Sequence, residues 1–236
     1  MKLTAAIILT MVVLALAIGL ACATPSTTYW TPCTLDIQPA GLTHITYDSY
    51  STIGKTPGQD FPTDYGLTFG GKLTDKLAAE FGFDYFTPTS QPWAFNAKVG
   101  YLEKTLSPNA PAVQVGLFNF GSLGQNVVDL IVGKSLPNNQ GRLSAGLYIG
   151  NEDKLRSSSG DKENSGFMVA YDRVIIPDKV VLALDYASGD NAIGGGGIGV
   201  NYYFAKNTSL LVGPVWFNDK GINGDMKWTA QLDINF

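Results

Sequence analysis

The stretch GLTFGGKLTDKLAAEFGFDYF, Gly66 to Phe86, most restricts what this chain can fold into. Tyr65, Leu67, Phe69, Gly71 and Leu73 share one parity, and Thr68, Gly70 and Lys72 the other. After the turn Thr74-Asp75-Lys76, Leu77, Ala79, Phe81, Phe83 and Tyr85 alternate with Ala78, Glu80, Gly82 and Asp84. A period of two held for about ten residues on each side of a turn is an amphipathic hairpin. Its arms are longer than the roughly five to six residues of an ordinary globular strand.

The same alternation runs through Trp93 to Tyr101, Leu143 to Ile149, Phe167 to Tyr171, Val180 to Tyr186, Ile198 to Phe204 and Met226 to Phe236. Weaker strands fit Leu42 to Thr52, Ala112 to Phe120, Val127 to Lys134 and Leu210 to Phe217, where Pro214 removes a ladder donor. The count is twelve antiparallel strands, within a range of ten to fourteen. Connections after the even-numbered strands are short, among them Glu103 to Asn109, Ser135 to Gly141, Val174 to Lys179 and Ala205 to Thr208. The longest, Asn151 to Ser165 and Ile53 to Asp64, fall at the opposite end, as in a membrane barrel.

Alternating strands also build two-sheet sandwiches, so the decision rests on what each face carries. Charged residues make up only 15 % of the chain, against about a quarter in soluble domains, while aromatics reach 11 % and glycines number 27. The polar parity is rich in Gly, Ala and Ser, which suits a confined interior rather than a solvated face. Rings at strand ends of the apolar parity, such as Tyr65, Tyr85, Trp93, Tyr171, Tyr202 and Trp228, match an interfacial girdle. Strands can cross a bilayer only if the sheet closes, because lipid offers no partner to an edge. The final strand must then pair with the first.

The chain opens with MKLTAAIILTMVVLALAIGLACATPS, a lone cation, an apolar run and the small residues Ala21-Cys22-Ala23. Residues 1–23 therefore read as a cleaved secretory signal. Residues 24–40, with Cys33 and three prolines, read as a periplasmic segment, with a course into the lumen as the other possibility. Residues 41–236 form the barrel. Cleavage would leave Cys33 as the single cysteine, so no disulfide within the chain is expected.

With its leader, its strands and the closing Trp228-x-Ala230-x-Leu232-x-Ile234-x-Phe236, the chain resembles the transmembrane β-barrels of Gram-negative outer membranes, of the porin-like class. The resemblance implies an exported barrel in the cell outer membrane, with outer-membrane lipid as its surroundings. It also implies that Trp228, Leu232, Ile234 and Phe236 form the signal by which the barrel-assembly machinery recognises the chain.

By parity the inward-facing charges are Lys72, Glu80, Asp84, Lys98, Asp129, Arg142, Asp172, Asp185, Lys227 and Asp233. Six acids against four bases predict a weakly cation-preferring lumen. Eight strands just enclose side chains and sixteen leave an open channel, so twelve predict a narrow pore for passive diffusion of small hydrophilic solutes or ions. The alternative is a non-conducting structural or adhesive barrel acting through its extracellular loops. Catalysis has little to stand on. The only histidine, His44, lies with Thr46 and Asp48 at the periplasmic start of the first strand, and isolated carboxylates supply no metal cluster. The Gly194 to Gly197 run lacks the Lys-Ser/Thr of a phosphate loop and reads as room for a bend or for close packing at the barrel wall. No enzyme activity and no cofactor are expected, and a net charge of −4 argues against nucleic acid. If the closing strand carries the assembly signal, deleting Phe236 should cut the membrane yield of folded barrel far more than an equal trim from Asn151 to Ser165. Equal yields on gels of unboiled membranes would count against that role.

Overall fold

The computed structural model describes residues 27–52 and 60–236. The expected signal, residues 24–26 and part of the connection that begins at Ile53 lie outside the described residues. The strands are β1 (Thr43–Ser51), β2 (Thr63–Lys72), β3 (Leu77–Thr87), β4 (Trp93–Tyr101), β5 (Ala112–Gly121) and β6 (Val127–Ser135). They continue as β7 (Arg142–Ile149), β8 (Ser165–Ile176), β9 (Val180–Ala187), β10 (Gly195–Ala205), β11 (Thr208–Phe217) and β12 (Lys227–Asn235). Each pairs antiparallel with its sequence neighbours, and β12 closes on β1 from His44↔Asn235 to Ser51↔Trp228. The ladder reaches the chain end, where Phe236 and Thr43 exchange backbone hydrogen bonds of 2.9 and 2.8 Å.

The parity predicted from sequence is the parity observed. Ile45, Phe69, Phe81, Leu130, Leu147, Phe167, Ile198 and Trp228 all stand exposed on the outer wall, in a continuous apolar band. An exposed apolar surface of that extent is stable only against lipid or a partner. Strands of 8 to 12 residues are long enough to cross a hydrocarbon core when tilted. One boundary differs from expectation. Val174 to Ile176, read as turn, extends β8 and pairs with β9 up to an irregularity between Val174 and Ile176. The β-branched run Val174-Ile175-Ile176 favours strand, so the hairpin propagates further before it turns.

The larger correction concerns residues 24–40, expected in the periplasm. Residues 27–40 instead run down the inside of the barrel, from the end with the long loops to the end where β1 starts. Two prolines, Pro32 and Pro39, deny this segment a strand ladder, so wall side chains supply its backbone partners. Tyr29, Trp30 and Thr31 each donate a backbone N–H to Asp185 Oδ2, at 3.1, 2.9 and 2.7 Å, and the Thr31 hydroxyl adds a fourth bond at 2.9 Å. Carbonyls are met in turn. Gln231 donates to Tyr29 O, Ser144 to Cys33 O and Gln114 to Leu35 O, at 3.0, 3.0 and 2.5 Å. Lower down, Gln38 N donates to Glu80 at 2.6 Å.

Glycines in the wall make room for this segment. A Cβ on Gly197 or Gly199 would overlap the Tyr29 ring, and one on Gly213 would lie 2.7 Å from its hydroxyl, which donates to Pro214 O at 3.1 Å. The close packing expected near Gly194 to Gly197 is the seat of that ring. Cys33 is fully buried beside Ser144, and Leu155, Val127, Ile131, Tyr148, Met168 and Ile193 fill the adjoining space with an apolar core.

Replacing Tyr29 with Ala should therefore lower the unfolding free energy by about 3 kcal/mol, the scale for emptying a buried aromatic site. Gly199→Val should destabilise the same contact from the other side. Urea unfolding of refolded protein in micelles reads both, and midpoints equal to that of the parent would mean that the segment is not seated on the wall.

Candidate functional site

The inserted segment is bonded to side chains of β3, β4, β5, β7, β9 and β12 and to the Pro214 carbonyl of β11, and a cavity of about 400 Å³ remains beside it. Six strand-borne carboxylates facing that space come from β1, β2, β3, β6 and β12: Asp48, Asp64, Glu80, Asp84, Asp129 and Asp233. Strand register sets their spacing. Asp48 and Asp64 are direct partners across β1 and β2, while Asp84 on β3 faces Gly66, which faces Thr46. A second row runs Glu80, Lys98, Gly116, Asp129 across β3 to β6.

Each predicted inward charge can now be placed. Arg142 forks across Asp36 of the inserted segment, at 2.6 and 2.7 Å from Nη1 and Nη2, while its Nε bonds Asp172 at 2.8 Å. Such a bidentate pair fixes geometry as well as charge. Asp185 holds the three N–H groups described above. Lys98 pairs with Glu80 at 3.7 Å, and Asp233 with His44 at 3.2 Å across the β1–β12 seam. Asp84 accepts from Asn96 at 2.6 Å. The Lys227 ammonium donates to Asn223 O at 2.9 Å and lies 4.6 Å from the centre of the Phe61 ring. Asp129 faces the cavity with neither carboxylate oxygen hydrogen-bonded. Lys72 departs from the expectation of a lumen charge. Its side chain is 60 % exposed at the rim and pairs with Asp75 in the turn, because β2 has by then run past the end of the wall.

Three inward acids were not predicted from the sequence. Asp36 belongs to the segment placed outside the barrel. Asp48 and Asp64 share the parity of His44, Thr46 and Thr68, and that signal would have found them. Among the described residues, Asp48, Asp64, Asp84 and Asp129 enter no ion pair. The triad-like list on β1 comes apart in three dimensions: the Thr46 hydroxyl donates to Asp48 at 2.7 Å, and His44 is bound to Asp233 and Asn235.

Of the assembly-signal positions, Trp228 and Phe236 stand exposed on the outer surface, with Leu232 and Ile234 half-buried in the same line. At the mouth with the long loops, the loop Asn151 to Ser165 keeps its charges outside but buries Leu155 completely. Asp219 ties this loop to the β11–β12 connection by accepting from Ser158 N at 2.7 Å and from Gly221 N at 2.8 Å.

A closed twelve-stranded barrel, apolar outside and polar within, has the fold of the outer-membrane porins. Among solved structures it is similar to the KdgM porin, at 11 % identity over 82 % of this chain and 99 % of that one, with a TM-score of 0.54. The KdgM porin in complex with disordered oligogalacturonate gives 10 % identity over 82 % and 99 %, with a TM-score of 0.55. The NanC porin gives 12 % over 82 % and 98 %, with a TM-score of 0.50. At such identities the likeness is one of fold. The sequence matches no protein-family model and no curated protein.

The Ser158 N–H holds the Asp219 carboxyl below the usual carboxylate range, followed by the Ser158 hydroxyl. A lowered folded-state value means that the tie is present above the ordinary carboxylate range and is lost as pH falls through the lowered value. Protection of the Ser158 amide against hydrogen exchange, taken relative to the intrinsic rate at each pH, should therefore be present at neutral pH and fall on acidification. In Asp219→Asn that pH-dependent fall in protection should be absent.

Proposed function

We propose that the protein is an outer-membrane channel through which small hydrophilic solutes or ions diffuse passively, with a weak preference for cations and no chemical step. The observation that carries this reading is the cavity, lined by Asp48, Asp64, Asp84 and Asp129, which among the described residues form no ion pair, and by Lys98 as its one strand-borne lysine. In a narrow lumen with low-dielectric walls such charges concentrate cations and repel anions. The apolar outer band and the porin fold support a place in the outer membrane of a Gram-negative cell, with lipid around the barrel. They also support Trp228, Leu232, Ile234 and Phe236 as the contact for the assembly machinery. Glu80, Asp84, Lys98, Asp129 and Asp233 line the path, whereas Arg142, Asp172 and Asp185 hold the inserted segment and Lys227 braces the aromatic cluster. The acidic cavity gives no support for extending to this chain the oligogalacturonate of the KdgM complex, since a chain of sugar acids would meet like charge.

The inserted segment favours a second reading, a non-conducting barrel that acts through its outer loops. Planar-bilayer recording separates the two. Refolded protein in a salt gradient of about tenfold should show a reversal potential of cation-selective sign, moved towards zero in Asp48→Asn with Asp84→Asn. A bilayer sealed at every voltage would point to the structural barrel, and an anion-selective current would overturn the sign.

A further inference from the structure

We propose that the cavity is a binding site for linear oligoamines, flexible chains carrying two or more ammonium groups; this rests on the channel reading and names its solute class. Two acidic stations face the cavity. At one, Asp48 and Asp64 are direct cross-strand partners, with Asp84 on the next strand. At the other, Asp129 ends the row that begins at Glu80. Glu80 and Asp84 are four residues apart on β3, which is about 13 Å along a strand.

Asp129 points to a missing cation. Only 2 % exposed, it lines the cavity with neither oxygen hydrogen-bonded, although Lys98 and Glu80 on the same row pair with each other. A buried carboxylate left so is costly, and an ammonium with three donors satisfies it. Asp64 Oδ1, at the first station, is likewise buried without a partner. Among the described residues the acids are spread along the wall rather than gathered around one point, which suits separated charges on one chain better than a single metal ion.

The space beside the carboxylates suits methylenes and ammonium alike. Trp30, Tyr50 and Phe61 pack with ring centres 5.6 to 5.9 Å apart along the cavity. The protein already sets its own primary ammonium, that of Lys227, on Phe61. Oligoamine methylenes lie against these rings while the ammonium groups reach the two stations. A monoamine reaches one station only, and an anion is repelled from both.

Calorimetric titration of the refolded full chain in neutral detergent with spermine tests this without requiring conductance. Saturable binding near one per barrel is expected, at least tenfold weaker for hexylamine and at least tenfold weaker for spermine in Asp84→Asn with Asp129→Asn. The gel shift between unboiled and boiled samples controls for folding of the variant. Spermine affinity unchanged by the double neutralisation, or equal affinity for hexylamine, overturns the site. Binding together with a sealed bilayer would overturn the channel and leave the site standing, whereas a cation-selective current without spermine binding would do the reverse.

Discussion

A bilayer offers no hydrogen-bond partner to a peptide group, and the rest of this structure follows from that constraint. Each unsatisfied N–H or C=O in lipid costs several kcal/mol, so the sheet has to close and β12 has to meet β1 up to Phe236. Closure fixes the two faces. The outward parity becomes an apolar band, and every polar residue on the other parity is committed to a shared interior.

A closed interior of twelve strands is wide enough to need filling, and the chain fills it with its own N-terminal stretch. Because that stretch carries no ladder, its peptide groups depend on the wall, and several inward polar side chains answer to it: Asp185 to three amides, Gln114, Ser144 and Gln231 to carbonyls, Arg142 to Asp36. The charges divide accordingly. Arg142, Asp185 and Glu80 hold the segment, whereas Asp48, Asp64, Asp84 and Asp129 remain turned towards the cavity. The acidity of the cavity is thus what remains after the segment has taken Arg142.

The architecture was largely legible, because period two is a local property that survives any tertiary arrangement. Trp93 to Tyr101 appears in the fold with the same ends, and even the weak strands at Leu42 and Ala112 needed only small shifts. The parity rule also placed Glu80, Lys98, Asp129 and Asp233 on the inside. It failed at Lys72, where a strand outruns its wall, and at Val174 to Ile176, where a hairpin runs on past the expected turn. Asp48 and Asp64 carried the same signal as their neighbours and could have been read from it.

By itself the sequence determined the alternation, the number of strands and the side of the sheet each residue takes, since these depend on neighbours one and two positions away. The tertiary structure alone decided where residues 27–40 lie and what the inner charges do. A proline-broken stretch has no periodicity to reveal its course, and its partners are distant in sequence, more than a hundred residues for Asp185 with Thr31 and for Arg142 with Asp36. Whether a wall carboxylate clamps a backbone or faces an empty cavity depends on that course, which only the closed barrel fixes.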